Sequence, residues 1–534
     1  MRSRVSVALL TTTPYLASKP SGRYSDPVTR STASAIAAPT RAGAREWGAL
    51  AVLMLPVLLI SIDTTALSFA LPEIAVALQP TAAQQLWIVD AYSLVLATLL
   101  VAMGNLGDRV GRRRLLLIGA TGFAIVSVLA AFAPTAELLI AARAALGLFG
   151  ATLMPATLAL LRTTFLDRGQ RRLAVAVWAT AFSVGAAAGP VVGGLLLAHF
   201  AWGSIFLMAV PFLLPLLVLA PLLITESRDP APGPIDPLGI ALSMLALGGL
   251  AAGVKELAVA GLDPVGIALV AVAALAGWLF VRRMRRRANP MLDVALFRVP
   301  QFSGALVVNL LSVVALTGFL FFVTQHLQLV EGLPVLDAAL VLVPGVVAMI
   351  VSGLGVVRVV RALDPGIAVV VALGGSATAY GILAVLGEDV SIAGIVGAFA
   401  LLGIGIGAAE TVSNDLVLSA VPPAKAGAAS ALSETAYEFG AVLGTTLLGG
   451  LVTAVYRSTL ALPAGIDAGV AAAARETLGG AIAAAPRAGE AADAVIQAAR
   501  TAFDHGVVAT SALGAGLMLV AMVVAFRTLR HPEH

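Results

Sequence analysis

The stretch Gly104-Asn-Leu-Gly-Asp-Arg-Val-Gly-Arg-Arg-Arg114 joins two long apolar runs, 86–103 and 115–132. Each run is close to the ~20 residues that carry a helix across a bilayer. A link this short makes the two flanking helices antiparallel neighbours. Its arginines cannot cross the membrane, so they fix the cytoplasmic side. The chain is therefore read as an all-α membrane protein, and the rest of the sequence is worked outward from this link.

Composition agrees. Of 534 residues, 59% are hydrophobic and only 12% are charged, against about 25% charged in a soluble domain. The chain has no cysteine, which removes disulfides, thiolate metal sites and a cysteine nucleophile. The net charge of +4 would suit an anionic partner, but the basic residues sit in short loops beside apolar runs, where they orient the protein in the membrane. No nucleic-acid partner is expected. The three lysines, Lys19, Lys255 and Lys425, lie in no phosphate-binding loop, so ATP is not hydrolysed through a P-loop of this chain. The five histidines, at 199, 326, 505, 531 and 534, form no metal-ligand spacing and no nucleophile motif stands out. Neither an enzyme, a metal site nor a bound cofactor is expected.

Residues 1–48 are rich in Ser, Thr, Ala, Pro and Arg and are expected to be a disordered cytoplasmic tail. Fourteen spans follow by hydropathy: 49–71, 86–104, 115–133, 137–161, 173–198, 203–224, 237–257, 262–281, 303–327, 338–357, 366–386, 391–419, 427–455 and 507–526. An even number puts both termini on one side. The Lys and Arg distribution agrees: 27 fall on that face, five on the other (Lys255, Arg457, Arg475, Arg487, Arg500), and Arg143 inside a span. Both termini are therefore expected in the cytoplasm of a multi-pass cell-membrane protein. The segment Gly353-Leu-Gly-Val-Val-Arg-Val-Val-Arg-Ala-Leu-Asp364 is a degraded form of the opening link. If the two links correspond, 49–224 and 301–527 are six-helix halves, 225–300 is an inserted helix pair with its linkers, and 528–534 is a cytoplasmic tail. Repeats flanking a midplane site are a transporter architecture. The stretch 457–505, long for a bundle connection, is expected to form a small helical hairpin outside the membrane.

An ionisable residue inside a span costs about 2.5–3.5 kcal/mol on insertion scales and is a functional candidate by default. Asp63 lies in Ser61-Ile-Asp-Thr-Thr65, well inside span 1. A carboxyl there can hold a proton and release it when a cation arrives; the plain alternative is a hydrogen bond to Thr64, Thr65 or a neighbouring helix. Asp90, in Trp87-Ile-Val-Asp-Ala-Tyr92, is near the outer end of span 2 and could simply be wetted. Glu434 and Glu438 share one helix face at i, i+4 and should not ionise together easily; the alternative is a pair buried against Arg143. Glu410 and Asp415 lie nearer the cytoplasmic end of span 12. Arg143, always charged, is either a counter-ion that tunes a carboxyl or a donor to backbone carbonyls. In Gly185-Ala-Ala-Ala-Gly-Pro-Val-Val-Gly-Gly194, Gly185, Gly189, Gly193 and Gly194 permit close helix approach and Pro190 bends the span. Asp108 and Arg112 are spaced for an i, i+4 pair, and Gly104, Gly107 and Gly111 exceed what a topology anchor needs, so the link is expected to be a conformational latch that also involves Arg109.

Together these segments resemble the major facilitator superfamily, in particular its 14-helix drug:proton antiporter branch. The 104–114 link is similar to the family's loop 2–3 signature, 139–150 with Arg143 to its span 4 motif, and 185–194 to its span 5 antiporter motif. The run Ile62-Asp-Thr-Thr-Ala-Leu-Ser-Phe-Ala-Leu-Pro72 resembles the branch's span 1 motif. Ser433-Glu-Thr-Ala-Tyr-Glu-Phe-Gly440 resembles the span 13 motif of the subgroup that exports quaternary ammonium compounds and dyes. Two departures stand out: Ala176 replaces a glycine of the longest span 5 pattern, and span 10 carries no acid. The resemblance implies two six-helix bundles plus two inserted helices. It also implies proton-driven efflux of small lipophilic cations by a monomer without a cofactor, contributing to antibiotic resistance. In that scheme Asp63, Asp90, Glu434 and Glu438 bind the proton and the cation, Arg143 tunes them, and Asp108 with Arg112 latches the halves. Competing readings are a dedicated exporter of one endogenous metabolite or antibiotic on the same fold, proton-coupled uptake, and a membrane sensor or scaffold. The last would call for a sizeable soluble output domain, and the sequence contains none.

Overall fold

The computed structural model describes residues 41–228, 236–261, 263–287, 290, 292, 294–387, 390–421 and 426–529. Residues 1–40 of the expected 1–48 tail, and residues 530–534, lie outside the described residues; the last part of that tail, from Ala44, is already helical. Fourteen long helices follow in order: α1 (Ala44–Leu78), α2 (Ala82–Val110), α3 (Arg112–Ala131), α4 (Ala136–Thr164), α5 (Arg168–His199), α6 (Ser204–Leu223), α7 (Pro237–Ala260), α8 (Pro264–Arg286), α9 (Pro300–Val330), α10 (Val335–Val359), α11 (Pro365–Leu386) and α12 (Ile392–Ser419). Next comes α13, built from Ala426–Gly444, a π-helical turn Thr445–Gly449 and Gly450–Thr459; α14 is Ala492–Thr528. Thirteen are long and apolar enough to cross a membrane among the described residues, and the remaining one, α5, carries the apolar segment Ala188–His199. Only helices satisfy their own backbone in lipid when no barrel closes, which is why apolar runs of this length become helices regardless of their glycine and proline content.

The ends are set by local chemistry. Asp236, Asp263, Asp364 and Ser391 each accept an N–H of the first turn they precede, satisfying donors a new helix leaves open. Thr81 and Gln84 do so reciprocally at α2, at 3.2 and 2.8 Å. Proline opens α7, α8, α9 and α11, where its missing N–H costs nothing.

The halves repeat one packing scheme. In the first, α1 packs on α5 and α6, α2 and α3 pack on α4, and α3 packs on α6. In the second, α9 packs on α13 and α14, α10 and α11 pack on α12, and α11 packs on α14. Shifting each label by eight turns one set into the other. The halves meet along two main seams, α5 against α10 and α2 against α13. The inserted pair α7–α8 leans on the second seam: α7 contacts α2 and α13, and Ala251 of α7 joins an apolar cluster with Leu94 and Ala97 of α2 and Phe439 and Val442 of α13.

Two regions differ in kind from expectation. The 104–114 link is hardly a loop: α2 continues to Val110, α3 begins at Arg112, and Gly111 alone departs from the helix, at φ +113°. The sequence 457–505 holds two short helices, Ala468–Glu476 and Leu478–Ala484, but α14 starts at Ala492, well before the expected 507. Its residues 492–506 are Ala-rich and moderately polar, which suits a helix but not a hydropathy window. The short helices are tied down by Tyr456 Oη donating to Ala474 O (2.6 Å), by an Arg457–Glu476 ion pair (2.7 Å), and by Glu476 accepting Ala82 N–H at the start of α2 (3.2 Å).

Candidate functional site

Asp63 and Arg143 meet in the first bundle. Arg143 Nη1 lies 2.7 Å from Asp63 Oδ2, with side-chain exposures of 2% and 4%. The guanidinium also donates to the carbonyls of Ile88 (3.1 Å) and Val89 (3.4 Å) and lies 4.6 Å from the Tyr92 ring centroid. Gly147 makes this possible, because a Cβ there would run into the Tyr92 carbonyl, so α4 can lie directly on α2. Of the two roles expected for Arg143, counter-ion and backbone donor, the geometry provides both. The arginine is engaged by Asp63 rather than by the Glu434–Glu438 pair.

Asp90 is not a wetted outer residue. Its side chain is 1% exposed and forms an ion pair with Lys255 of α7, at 2.7 Å. Thr446, in the π-helical turn of α13, donates to the same Oδ2 at 3.1 Å. The Lys255 ammonium also sits 3.9 Å from the Trp87 ring centroid. Two readings are corrected here: Lys255 is no outer-loop cation, and Arg143 is not the one cation inside the spans. Lys255 falls in the last two turns of α7, which reach back over α2, so its place near the end of an apolar run concealed its burial.

Glu438 faces the Arg143–Asp63 pair from the second bundle. It is 1% exposed, lies within electrostatic reach of Glu434, Arg143 and Asp63, and comes within hydrogen-bonding reach of Ser93 on α2. Oε2 of Glu438 and Oε1 of Glu434 are buried without a hydrogen-bond partner among the described residues, and so is Oε1 of Glu410 on α12. Asp415 is exposed. Glu410 thus belongs with the buried acids and Asp415 does not. Tyr437 packs edge-on against Phe182 of α5, at 5.7 Å, and lies within electrostatic reach of Glu410, Glu434 and Glu438.

A cavity of roughly 20 Å³, about the size of one water site, lies between the bundles. Asp90, Ser93 and Arg143 line it from one half, and Thr317, Ala441 and Thr445 from the other. Above it the halves are stitched by Gln85 donating to Gln325 (3.2 Å) and Gln328 donating to the Phe69 carbonyl (3.3 Å).

The span 5 glycines form two seams. A Cβ at Gly185 would stand 2.7 Å from Ser61 Cβ, one at Gly189 would overlap Thr65, and one at Gly193 would stand 3.2 Å from Ala66. These three bring α5 onto α1 beside Asp63. A Cβ at Gly194 would instead stand 2.8 Å from Ala339 Cβ of α10, so Gly194 governs contact between the halves. Pro190 lies inside the continuous helix.

At the 104–114 link, Asp108 and Arg112 pair at 2.8 Å across the Gly111 break. The sequence reading missed Glu226. Its carboxylate accepts the N–H groups of Arg113 (3.0 Å) and Arg114 (3.2 Å) at the start of α3, while Arg112 donates to Ser227 Oγ at 3.2 Å. The link therefore docks on the segment following α6, within its own half. Gly104 and Gly107 lie in the last turns of α2, and Gly107 O accepts Gly111 N–H at 2.9 Å. Glu226 sits in a polar linker where no apolar surroundings mark it, so its signal was weak.

Known proteins resemble this chain in sequence and in fold. Residues 53–445 match the family model described as Major Facilitator Superfamily. The chain is 53% identical over 492 residues to "Multidrug efflux pump LfrA" of Mycolicibacterium smegmatis, covering 91% of this chain and 98% of that protein. It is 35% identical over 491 residues to "Methyl viologen resistance protein SmvA" of Salmonella typhimurium, covering 90% and 98%. Among solved structures, an inward-facing bacterial homologue of the human lysosomal transporter Spinster superposes with a TM-score of 0.59, at 16% identity, over 92% of this chain and 99% of that one. Matched through both halves by sequence and by fold, the chain belongs to the Major Facilitator Superfamily.

Proposed function

We propose that this protein is a proton-coupled multidrug exporter that takes lipophilic cations, such as quaternary ammonium compounds and dyes, out of the cell. The observation that carries the reading is Glu438: a buried carboxyl of the second bundle with one oxygen unpartnered, set across the seam from the Arg143–Asp63 pair of the first. Asp90 and Arg143 of the first half line the cavity on the seam together with Thr317, Ala441 and Thr445 of the second, so a proton or a cation bound there touches both bundles. A ligand shifts a two-state equilibrium only through its different affinity for the two states, and a site shared across the moving seam meets that condition. Acids on apolar helices favour cationic, lipophilic substrates over anions. Asp63, Asp90, Glu434 and Glu438, with Glu410 added, then bind the cation or the proton, and the two exclude one another within the set. Arg143 orients Asp63 through the 2.7 Å contact, and both termini face the cytoplasm. The efflux and resistance functions named for the two relatives agree with this reading.

The test is proton release from the purified protein, followed with a pH dye on adding ethidium. Wild type is expected to release protons, and Glu438→Gln and Asp63→Asn to release fewer. A wild type that binds ethidium without releasing a proton would overturn proton coupling; one that binds no cation in a panel would move the assignment to a dedicated exporter of another substrate.

A further inference from the structure

Asp90 carries a cation supplied by the chain itself. Trp87 and Asp90 are three residues apart on α2, so they share one face of the helix. A carboxylate beside an indole face is the chemistry that recognises quaternary and lipophilic ammonium groups. The Lys255 ammonium satisfies both halves of that recognition at once, 2.7 Å from Asp90 Oδ2 and 3.9 Å from the Trp87 centroid. The lysine comes from the inserted pair, whose other surfaces are mostly turned outward. A helix that merely filled space against lipid would gain nothing from a buried lysine, whose insertion costs about 2.5–3.5 kcal/mol. Its position is also telling. Asp90 Oδ2 is reached by α2 itself, by Lys255 of α7 and by Thr446 of α13, so the first bundle, the inserted pair and the second bundle meet at one oxygen, on the seam where the bundles join.

We propose that Lys255 is a tethered competitor of the transported cation: it fills the Trp87–Asp90 site in the substrate-free protein, and an incoming lipophilic cation takes its place, freeing α7 from the α2–α13 seam. The inference rests on the cation-export reading above. One positive charge leaves Asp90 as another arrives, so this exchange releases no proton, and the coupled proton comes from the other acids. The tether also lowers apparent affinity, because only the fraction of molecules with Lys255 displaced can bind.

Binding of tetraphenylphosphonium to the purified full chain tests this. Lys255→Met is expected to bind about tenfold more tightly, as a population mostly closed by the tether becomes open. Lys255→Arg should keep the wild-type affinity, and Asp90→Asn combined with Lys255→Met should lose the gain. Unchanged or weaker binding by a monodisperse Lys255→Met protein would overturn the proposal. Should that variant fail to fold, the wild type supplies the reading. With only three lysines in the chain, amine acetylation followed by mass spectrometry resolves Lys255, whose labelling should rise several-fold when tetraphenylphosphonium saturates the protein; constant labelling overturns the tether. If the wild type binds no lipophilic cation, the functional reading and the tether fall together. If it binds, and Asp63→Asn impairs binding while Lys255→Met changes nothing, only the tether falls.

Discussion

Arg143 and Asp63 are held 2.7 Å apart by two different helices, and neither side chain is more than 4% exposed. Removing one partner of such a pair strands a charge and typically costs about 3–5 kcal/mol, whereas exchanging both for apolar residues is often neutral. Arg143→Met should therefore lower the melting temperature of the detergent-solubilised protein sharply, and Arg143→Met with Asp63→Leu should recover most of the loss. Export should remain absent in both. A double variant as unstable as the single one would show that the bonds from Arg143 to the Ile88 and Val89 carbonyls, rather than the ion pair, hold α4 on α2.

Much of this architecture was legible because lipid leaves a spanning chain few choices. Apolar run lengths located the fourteen helices, and the insertion cost of charge singled out Asp63, Arg143, Glu434 and Glu438. Pairing was not legible. No spacing relates Asp63 to Arg143, 80 residues away, or Asp90 to Lys255, since both contacts are products of helix packing. Lys255 was misread because charge counting treats any lysine near the end of a run as a loop residue. Glu226 was missed because its role depends on Gly111 turning at φ +113°, a conformation visible only once α2 and α3 are built.

Gly111 and Glu226 should be energetically coupled. A Cβ on Gly111 would lie 2.7–2.9 Å from the Glu226 carboxylate, in a backbone conformation L-residues rarely adopt. Gly111→Ala should cost about 1–3 kcal/mol in strain, and Glu226→Ala about 0.5–2 kcal/mol through loss of the α3 cap. Because the second change removes the first one's clash, the double variant should be at least about 0.5 kcal/mol more stable than additivity predicts. Strict additivity in thermal or denaturant unfolding would mean the backbone angle alone constrains Gly111.

Asp236 gives the inserted pair a pH dependence of known sign. Its carboxylate caps α7 at Gly239 N–H (3.0 Å) and accepts Arg283 through Nε and Nη2 at 2.8–3.0 Å. The Arg283 hydrogen bonds, aided by the Gly239 cap, pull its pKa below the ordinary 3.8. A carboxyl lowered by folding contributes stability that is complete above its unfolded pKa and is lost as pH falls through the folded one. The melting-temperature gap between wild type and Asp236→Asn should therefore be full at pH 6–7 and should shrink only below about pH 4. A gap that closes between pH 7 and pH 5 would point to a different titrating group.

The absence of cysteine makes single-cysteine labelling a direct probe of the seam at Gly194. Gly185, Gly189 and Gly193 pack α5 on α1 within one bundle, whereas Gly194 packs it on Ala339 and Leu336 of α10 in the other. Leucine at Gly189 should collide with Thr65, two residues from Asp63, and lower both stability and export. Leucine at Gly194 should spare the bundles but hold the α5–α10 seam apart, so export falls while the melting temperature changes little. Ser68 lines the cavity beneath the outer contacts and is 8% exposed, so a cysteine placed there reports closure. In a Ser68→Cys background, Gly194→Leu should speed labelling by an impermeant maleimide added from outside, because close approach at position 194 is what allows the outer ends of the halves to shut. Labelling that stays slow while export is lost would assign Gly194 to packing within α5's own bundle instead.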